Sequence, residues 1–264
     1  MSTPNELRLF AAELAREAGE LARRRQSEGV ALAATKSTMA DIVTEADREV
    51  EAFIRQRLRE VRPDDGFLGE ESGDATGTSG LTWVVDPIDG TVNYASGIAF
   101  YSTSIAVVQG SDPDTWQNVA GAVCAPALDE LFTAAVGEGA WLGDERLQVV
   151  ESWPAGALLA TGFGYDPATH AGDLATVARV MPLARDLRRC GSAAIDLAYV
   201  AAGRMDGFFE RGLNPWDYAG GAALIAEAGG EFIVLGEPTE ARRMYIGGPS
   251  ALVSSIRERI ENES

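Results

Sequence analysis

The chain has 264 residues, with 22 basic against 40 acidic side chains, a formal net charge of −18 and a pI near 4.4. That balance offers no basic footprint, so neither a nucleic-acid nor a membrane partner is expected. The length suits one large or two modest domains, and the two cysteines, Cys124 and Cys190, have no paired spacing, which fits a reducing cytoplasm. The single histidine, His170, excludes imidazole-rich zinc sites and leaves a Ser-His-Asp triad resting on one residue. No leader segment is expected, and no stretch approaches the ~18 apolar residues of a membrane span.

In chain order, Thr3-Pro4-Asn5-Glu6 reads as a capping box with proline at the first helical position. Leu7, Phe10, Ala11, Leu14, Ala18 and Leu21 continue at helical steps, predicting an amphipathic helix to about Arg25. Residues 27–40, around the only lysine, Lys36, read as a loop or hairpin. A second helix is predicted to start at Asp41, with Asp41, Glu45 and Asp47 complementing its dipole and Val50, Phe53, Ile54 and Leu58 facing the core. Phe67 to Gly69 is a short apolar stub ending in Glu70 and Glu71, and residues 73–80 read as a flexible connection.

Leu81 to Val85 predicts a buried strand that ends abruptly in Asp86 and Asp89, on a turn set by Pro87 and Gly90. Thr91 follows with a capping-type side chain. Two aspartates crowded at the end of a buried strand repel unless a cation lies between them, and hard divalent ions with oxygen ligands answer that need. An Asp-Pro turn closed by an Asx bond, with no metal, stands as the alternative at this point.

Phe100 to Val108, Val119 to Cys124, Glu130 to Val136 and Arg146 to Val150 read as further strands, giving a mainly antiparallel sheet backed by the two N-terminal helices. Near Glu151 to Pro154 the texture changes. Strands at 158–162, 187–190, 207–210, 232–235 and 244–246 alternate with helices at 173–181, 193–202, 214–228 and from Ser250. The chain therefore divides into an α+β half, residues 1–150, and an α/β half, residues 151–264.

The acids that begin or end apolar elements are Asp41, Asp47, Glu70, Asp86, Asp89 and Asp217. Helix capping accounts for the first two. Glu70, Asp86 and Asp89 close apolar segments where a carboxylate is costly. With no imidazole or thiolate set to compete, an all-oxygen site points to Mg²⁺ or Mn²⁺, and magnesium prefers to share substrate phosphate.

Together these residues resemble the inositol monophosphatase family. The motifs are Asp41-x-Val-Thr-x-Ala-Asp47, Gly69-Glu-Glu-Ser72, Asp86-Pro-Ile-Asp-Gly-Thr91-x-Asn93 and Trp216-Asp217-x-Ala-Gly-Gly. Ala125 to Leu131, Gly137 to Leu142, Thr161-Gly-Phe163 and Gly191-Ser-Ala-Ala194 extend the likeness, in order, over nearly the whole chain. The resemblance implies an α/β/α/β/α layered sandwich of the type shared with fructose-1,6-bisphosphatases. It also implies a homodimer, lithium sensitivity and two or three Mg²⁺ ions per active site. By position, Glu70, Asp86 and the carbonyl of Ile88 are expected to hold one metal, and Asp86, Asp89 and Asp217 a second. Glu70 would also serve a weaker third site, and Thr91, oriented by Asp47, would activate water for in-line attack on phosphorus. The amides of Gly90 and Thr91 are expected to hold phosphate oxygens, and Asp89, Gly191, Ala193 and Glu210 the leaving alcohol.

Residues that depart from commoner family patterns are Ser96, Cys190, Arg211, Asn214 and Pro215, and Arg211 would favour a second anionic group on the substrate. Inositol 1-phosphate is the expected substrate. Histidinol phosphate, fructose 1,6-bisphosphate and 3′-phosphoadenosine 5′-phosphate are the alternatives offered by relatives. Two rival readings are a haloacid-dehalogenase-type phosphatase, whose first aspartate attacks phosphorus, and a non-catalytic regulator on the same scaffold.

Overall fold

The computed structural model describes residues 2–28, 32–35 and 42–262; Lys36 and Asp41 lie outside the described residues. Helix α1 (Pro4–Ser27) opens with the expected capping box, Thr3 accepting from Glu6 N while the Glu6 carboxylate accepts from Thr3 N. It buries Leu7, Ala11, Leu14, Ala15, Ala18 and Ala22 along one face. Strands β1 (Leu32–Thr35) and β2 (Ile42–Thr44) form an antiparallel hairpin. Helix α2 (Glu45–Val61) therefore starts later than the acid pattern suggests. The β-branched run Ile42-Val43-Thr44 is extended, which suits side chains stiff at χ1.

The first sheet has eight strands, in the order β10 (Glu145–Arg146), β9 (Gly139–Leu142), β8 (Glu130–Ala135), β7 (Gln117–Ala125), β6 (Ser102–Gln109), β5 (Leu81–Asp89), β3 (Gly66–Gly69), β4 (Gly73–Ala75). All pairings are antiparallel except β3 with β5. Residues 73–75, expected as a loose connection, are this sheet's edge. The segment 146–150 forms a strand only at Arg146, and β9 takes the neighbouring place in the sheet. Strand β5 also runs past its predicted end: Asp86 pairs with Ser104 and Asp89 with Ser102, with a register irregularity between them. Such a bulge re-aims side chains at a strand's end, and both aspartates sit on it.

The second sheet has five strands, ordered β12 (Ala184–Arg188), β11 (Ala157–Thr161), β13 (Gly207–Arg211), β15 (Met244–Gly248), β14 (Glu231–Leu235). Strand β11 is parallel to both its neighbours, while β15 is antiparallel to β13 and β14. Helices α1 and α2 cover the outer face of the first sheet, α5 (Ala193–Ala201) and α6 (Pro215–Glu227) lie between the sheets, and α4 (His170–Val180) and α7 (Ser250–Glu261) close the far side. This is the αβαβα sandwich. One apolar cluster runs from Val84 and Phe132 of the first sheet through Leu197 and Leu224 to Phe208 and Tyr245 of the second. No helix among the described residues is long and apolar enough to cross a membrane.

Candidate active site

The short helix α3 (Thr91–Ala95) follows β5 directly, and Gly90 makes the corner at φ +91°. A Cβ there would stand 3.0 Å from both the Gly191 and Phe100 carbonyls, so only glycine fits this approach of two loops. Asn93 ties the same loops together, its amide donating to the Phe100 carbonyl at 2.7 Å and to the Cys190 carbonyl at 2.8 Å. The end of the first sheet is thereby pinned to the start of α5.

A cavity of about 400 Å³ opens at this junction. Its walls include Glu70, Asp86, Ile88, Asp89, Gly90, Thr91, Gly191, Ala193, Glu210 and Asp217. Of the residues selected from the sequence, only Asp47 is not part of the wall; it is buried in the first turn of α2, close enough to add to the repulsion on Asp86.

The acids on this wall crowd one another. Asp86 is buried, and burial followed by the charges of Glu70, Asp89, Asp217 and Asp47 pushes its carboxyl well above the usual range. Asp217 is pushed up to about 8, first by burial and then by Asp89, with Asn214 N and the neighbouring Asp86 side chain opposing. Carboxyls crowded in this way resist ionising together. Asp86 Oδ1 is buried with no partner, an expensive arrangement for a native site.

Asp89 is better supported. Ser192 donates to its Oδ2 at 2.6 Å and Ala194 N at 2.7 Å, with Ala193 N adding to these, while burial still lifts the carboxyl to about 6. Ala193 itself stands in the cavity wall beside this carboxylate. Ser192 is also the N-cap of α5, accepting from Ile195 N at 3.3 Å, so one hydroxyl serves both helix and carboxylate. Thr91 Oγ donates to the Ile88 carbonyl at 3.1 Å.

Those acids test whether a cation fits. Among the described residues no three of them converge into a ready-made cage. The donor set is nevertheless all oxygen, and it carries one orphaned buried oxygen and carboxyls that burial and mutual repulsion push upward. Such a set suits a hard divalent ion, whose charge relieves that repulsion.

Other wall residues escaped the sequence reading. Tyr165 and Thr169 come from the connection between β11 and α4, and Arg189 and Arg242 from two other loops, with no shared pattern to mark them. Asp196 was legible: it is the one acid in the apolar run Ala193 to Ala201, it is buried, and its Oδ1 has no partner. Burial pushes its carboxyl well above the usual range, with a hydrogen bond to Cys190 opposing. Glu210, at the end of β13, is pushed up to about 8 by burial and by Asp196. It lies so close to Gly162 that any side chain there would collide with its carboxylate.

Against known proteins, the model of the inositol monophosphatase family matches residues 3–262. The inositol-1-monophosphatase SuhB of Mycobacterium tuberculosis H37Rv is 42% identical over 250 residues, covering 88% of this chain and 84% of its own. The Nus factor SuhB of Escherichia coli K12 is 40% identical over 225 residues, covering 84% and 82%. Among solved structures, Mycobacterium tuberculosis SuhB superposes with a TM-score of 0.83 at 37% identity, covering 99% and 98% of the two chains. The Bartonella henselae SuhB gives 0.84 at 35%, covering 96% and 98%.

Proposed function

We propose, for a chain that belongs to the inositol monophosphatase family and is a phosphoric monoester hydrolase, that it cleaves a phosphorylated polyol with the help of Mg²⁺, inositol 1-phosphate being the first substrate. The observation that carries this reading is the crowded wall of Glu70, Asp86, Asp89 and Asp217, whose charge only a cation or a proton relieves. Glu70, Asp86 and the Ile88 carbonyl would hold one ion, Asp86, Asp89 and Asp217 a second, and Glu70 would share in a third. Mn²⁺ is an acceptable substitute. Bound Mg²⁺ would neutralise the ester phosphate and acidify nearby water, which removes the need for an imidazole base.

The chain's own groups do the rest. The Thr91 hydroxyl, which donates to the Ile88 carbonyl, would take the proton of the attacking water while passing its own to Asp47. Gly90 and Thr91 line the cavity at the corner after β5, and their amides would hold phosphate oxygens; α3 has five residues, so the contact would be local rather than a helix-dipole effect. Gly191 and Ala193 line the alcohol side. Burial and the charge of Asp196 push Glu210 up to about 8, which would suit it to meet a substrate hydroxyl.

The family membership displaces the dehalogenase-type alternative, in which Asp86 would itself attack phosphorus. The name of the Escherichia coli relative, Nus factor SuhB, raises a regulatory role. The net charge of −18 counts against direct contact with nucleic acid, and a silent scaffold has no use for buried, repelling acids. A homodimer is proposed for the chain in solution.

Phosphate release with Mg²⁺ from inositol 1-phosphate, histidinol phosphate, fructose 1,6-bisphosphate and 3′-phosphoadenosine 5′-phosphate tests the reading. Metal-dependent release from inositol 1-phosphate is expected. No release from it, alongside turnover of histidinol phosphate or the nucleotide, overturns the substrate; no release from any of them overturns the chemistry.

A further inference from the structure

The active-site cavity has a basic rim that the hydrolysis of a simple monoester does not use. Arg211, at the end of β13, lines the cavity and is half-buried. Its guanidinium has no hydrogen bond and no ion pair among the described residues. In a chain of net charge −18, a half-buried guanidinium without an acid is anomalous.

The acids whose charge acts most on it, Asp173 and Glu240, bond elsewhere. Asp173 is gripped at both oxygens by Arg242, at 3.0 Å each, and one of those oxygens also accepts from Gly164 N. Glu240 caps its own turn through Glu237 N. Arg242 donates further to the Arg211 carbonyl at 3.2 Å, which fixes the backbone carrying the free guanidinium. Arg179 of α4 lies close enough to repel Arg211, and its own Nε is buried with no partner. Arg179 and Arg242 thus add positive charge beside Arg211, and Arg242 takes both oxygens of Asp173. Asp166, the other acid on this rim, turns one oxygen to Ala168 N.

Arg211 and Arg242 share the cavity lining with Glu70, Asp86, Asp89 and Asp217, and the charges that weigh most on Arg211 are Arg179, Asp173, Arg242 and Glu240. One cavity therefore holds acids for the reacting ester and a guanidinium with an unfilled fork of donors.

We propose that Arg211 receives a second phosphoryl group, so that the cavity prefers a polyol phosphate bearing a distant second phosphate over the matching monoester. A guanidinium offers paired donors to phosphate oxygens and holds its charge on partial burial, which suits that role better than a lysine would. Inositol 1-phosphate remains a substrate; it leaves Arg211 without a partner. The inference rests on the phosphatase reading for its catalytic readout but not for its binding readout.

The test uses two matched pairs: inositol 1-phosphate with inositol 1,4-bisphosphate, and fructose 1-phosphate with fructose 1,6-bisphosphate. In Arg211→Met, KM for at least one bisphosphate should rise at least about tenfold more than KM for its monoester, the loss expected for a charge-assisted contact, with kcat little changed. Arg211→Lys should recover part of it. Equal factors within both pairs overturn the proposal. If the wild-type protein hydrolyses none of the four, the phosphatase reading has failed on its own. Protection against thermal unfolding then decides the rim: protection by a bisphosphate over its monoester, lost in Arg211→Met, supports it, and equal protection in both proteins overturns it.

Discussion

Replacing Asp217 by asparagine should make the metal-free protein more stable while removing its activity. Asparagine keeps an oxygen to accept from Asn214 N, the 2.7 Å bond that Asp217 Oδ2 makes at the start of α6, so the fold loses little. What disappears is a carboxyl held at about 8 against an ordinary 3.8. Because the raised value belongs to the folded state, the folded chain binds more protons than the unfolded one between those limits. Its stability therefore falls as pH rises from about 4 to 8. At pH 7 roughly three pH units of that interval have been crossed, at about 1.4 kcal/mol each, so this one acid withholds on the order of 4 kcal/mol. Discounting for its coupling to Asp86, about 2 kcal/mol should be recovered, or roughly 4–8 °C in Tm for a chain of this size. Thermal unfolding in chelator at pH 7 reads the gain. Added Mg²⁺ should then reverse the order, raising the wild-type Tm more than the variant's. The reasoning is refuted if Asp217→Asn melts below the wild type in chelator, or if Mg²⁺ raises both by the same amount.

Asp86→Asn should abolish phosphate release, by about 10³-fold or more for loss of a shared metal ligand, and weaken Mg²⁺ or Mn²⁺ binding by calorimetry with far-UV dichroism unchanged; an active variant would overturn its assignment. Gly162→Ala should displace the Glu210 carboxylate, raising KM for a polyol ester several-fold with a smaller change in kcat; unchanged KM would take Glu210 out of substrate binding. Asp173→Ala should cost about 3 kcal/mol by leaving Arg242 and Gly164 N without their acceptor, measured by urea unfolding. The Asp173 carboxyl is held below its usual range, burial being outweighed by the Arg242 and Gly164 bonds. Its contribution is therefore complete above about pH 4 and lost as pH falls through the depressed value, so wild type and variant should converge in acid.

The eight-stranded sheet and its helices were legible because their burial is one-sided. Leu7, Leu14, Val50 and Ile54 recur at helical steps, and Leu81 to Val85 is broken only by Thr82. Local signals misled where pairing overrode them. Glycine and small residues at 73–75 look like a linker yet complete the sheet beside β3, and Ile42 to Thr44 follows its β-branched chemistry rather than the acids around it. Strand β9 has only Gly139 to Leu142 to announce it, too short a run for periodicity.

The candidate site divides along the same line, and the division has a physical cause. Asp86, Asp89 and Asp217 interrupt or cap elements that are otherwise apolar, so their cost is visible in the sequence itself, as it is for Asp196 inside α5. Arginine carries a weaker mark: Arg211 stands out in the sequence only as a departure from the commoner family pattern, and only the closed chain shows that Arg242 has taken both oxygens of Asp173 and left Arg211 without an acid. An acid buried against its chemistry can be found by reading one segment. A base without a partner can be found only by knowing what every nearby acid is doing. Recognition of the reacting phosphate is therefore written in the strand ends, while discrimination among its esters depends on loops that meet only in the fold.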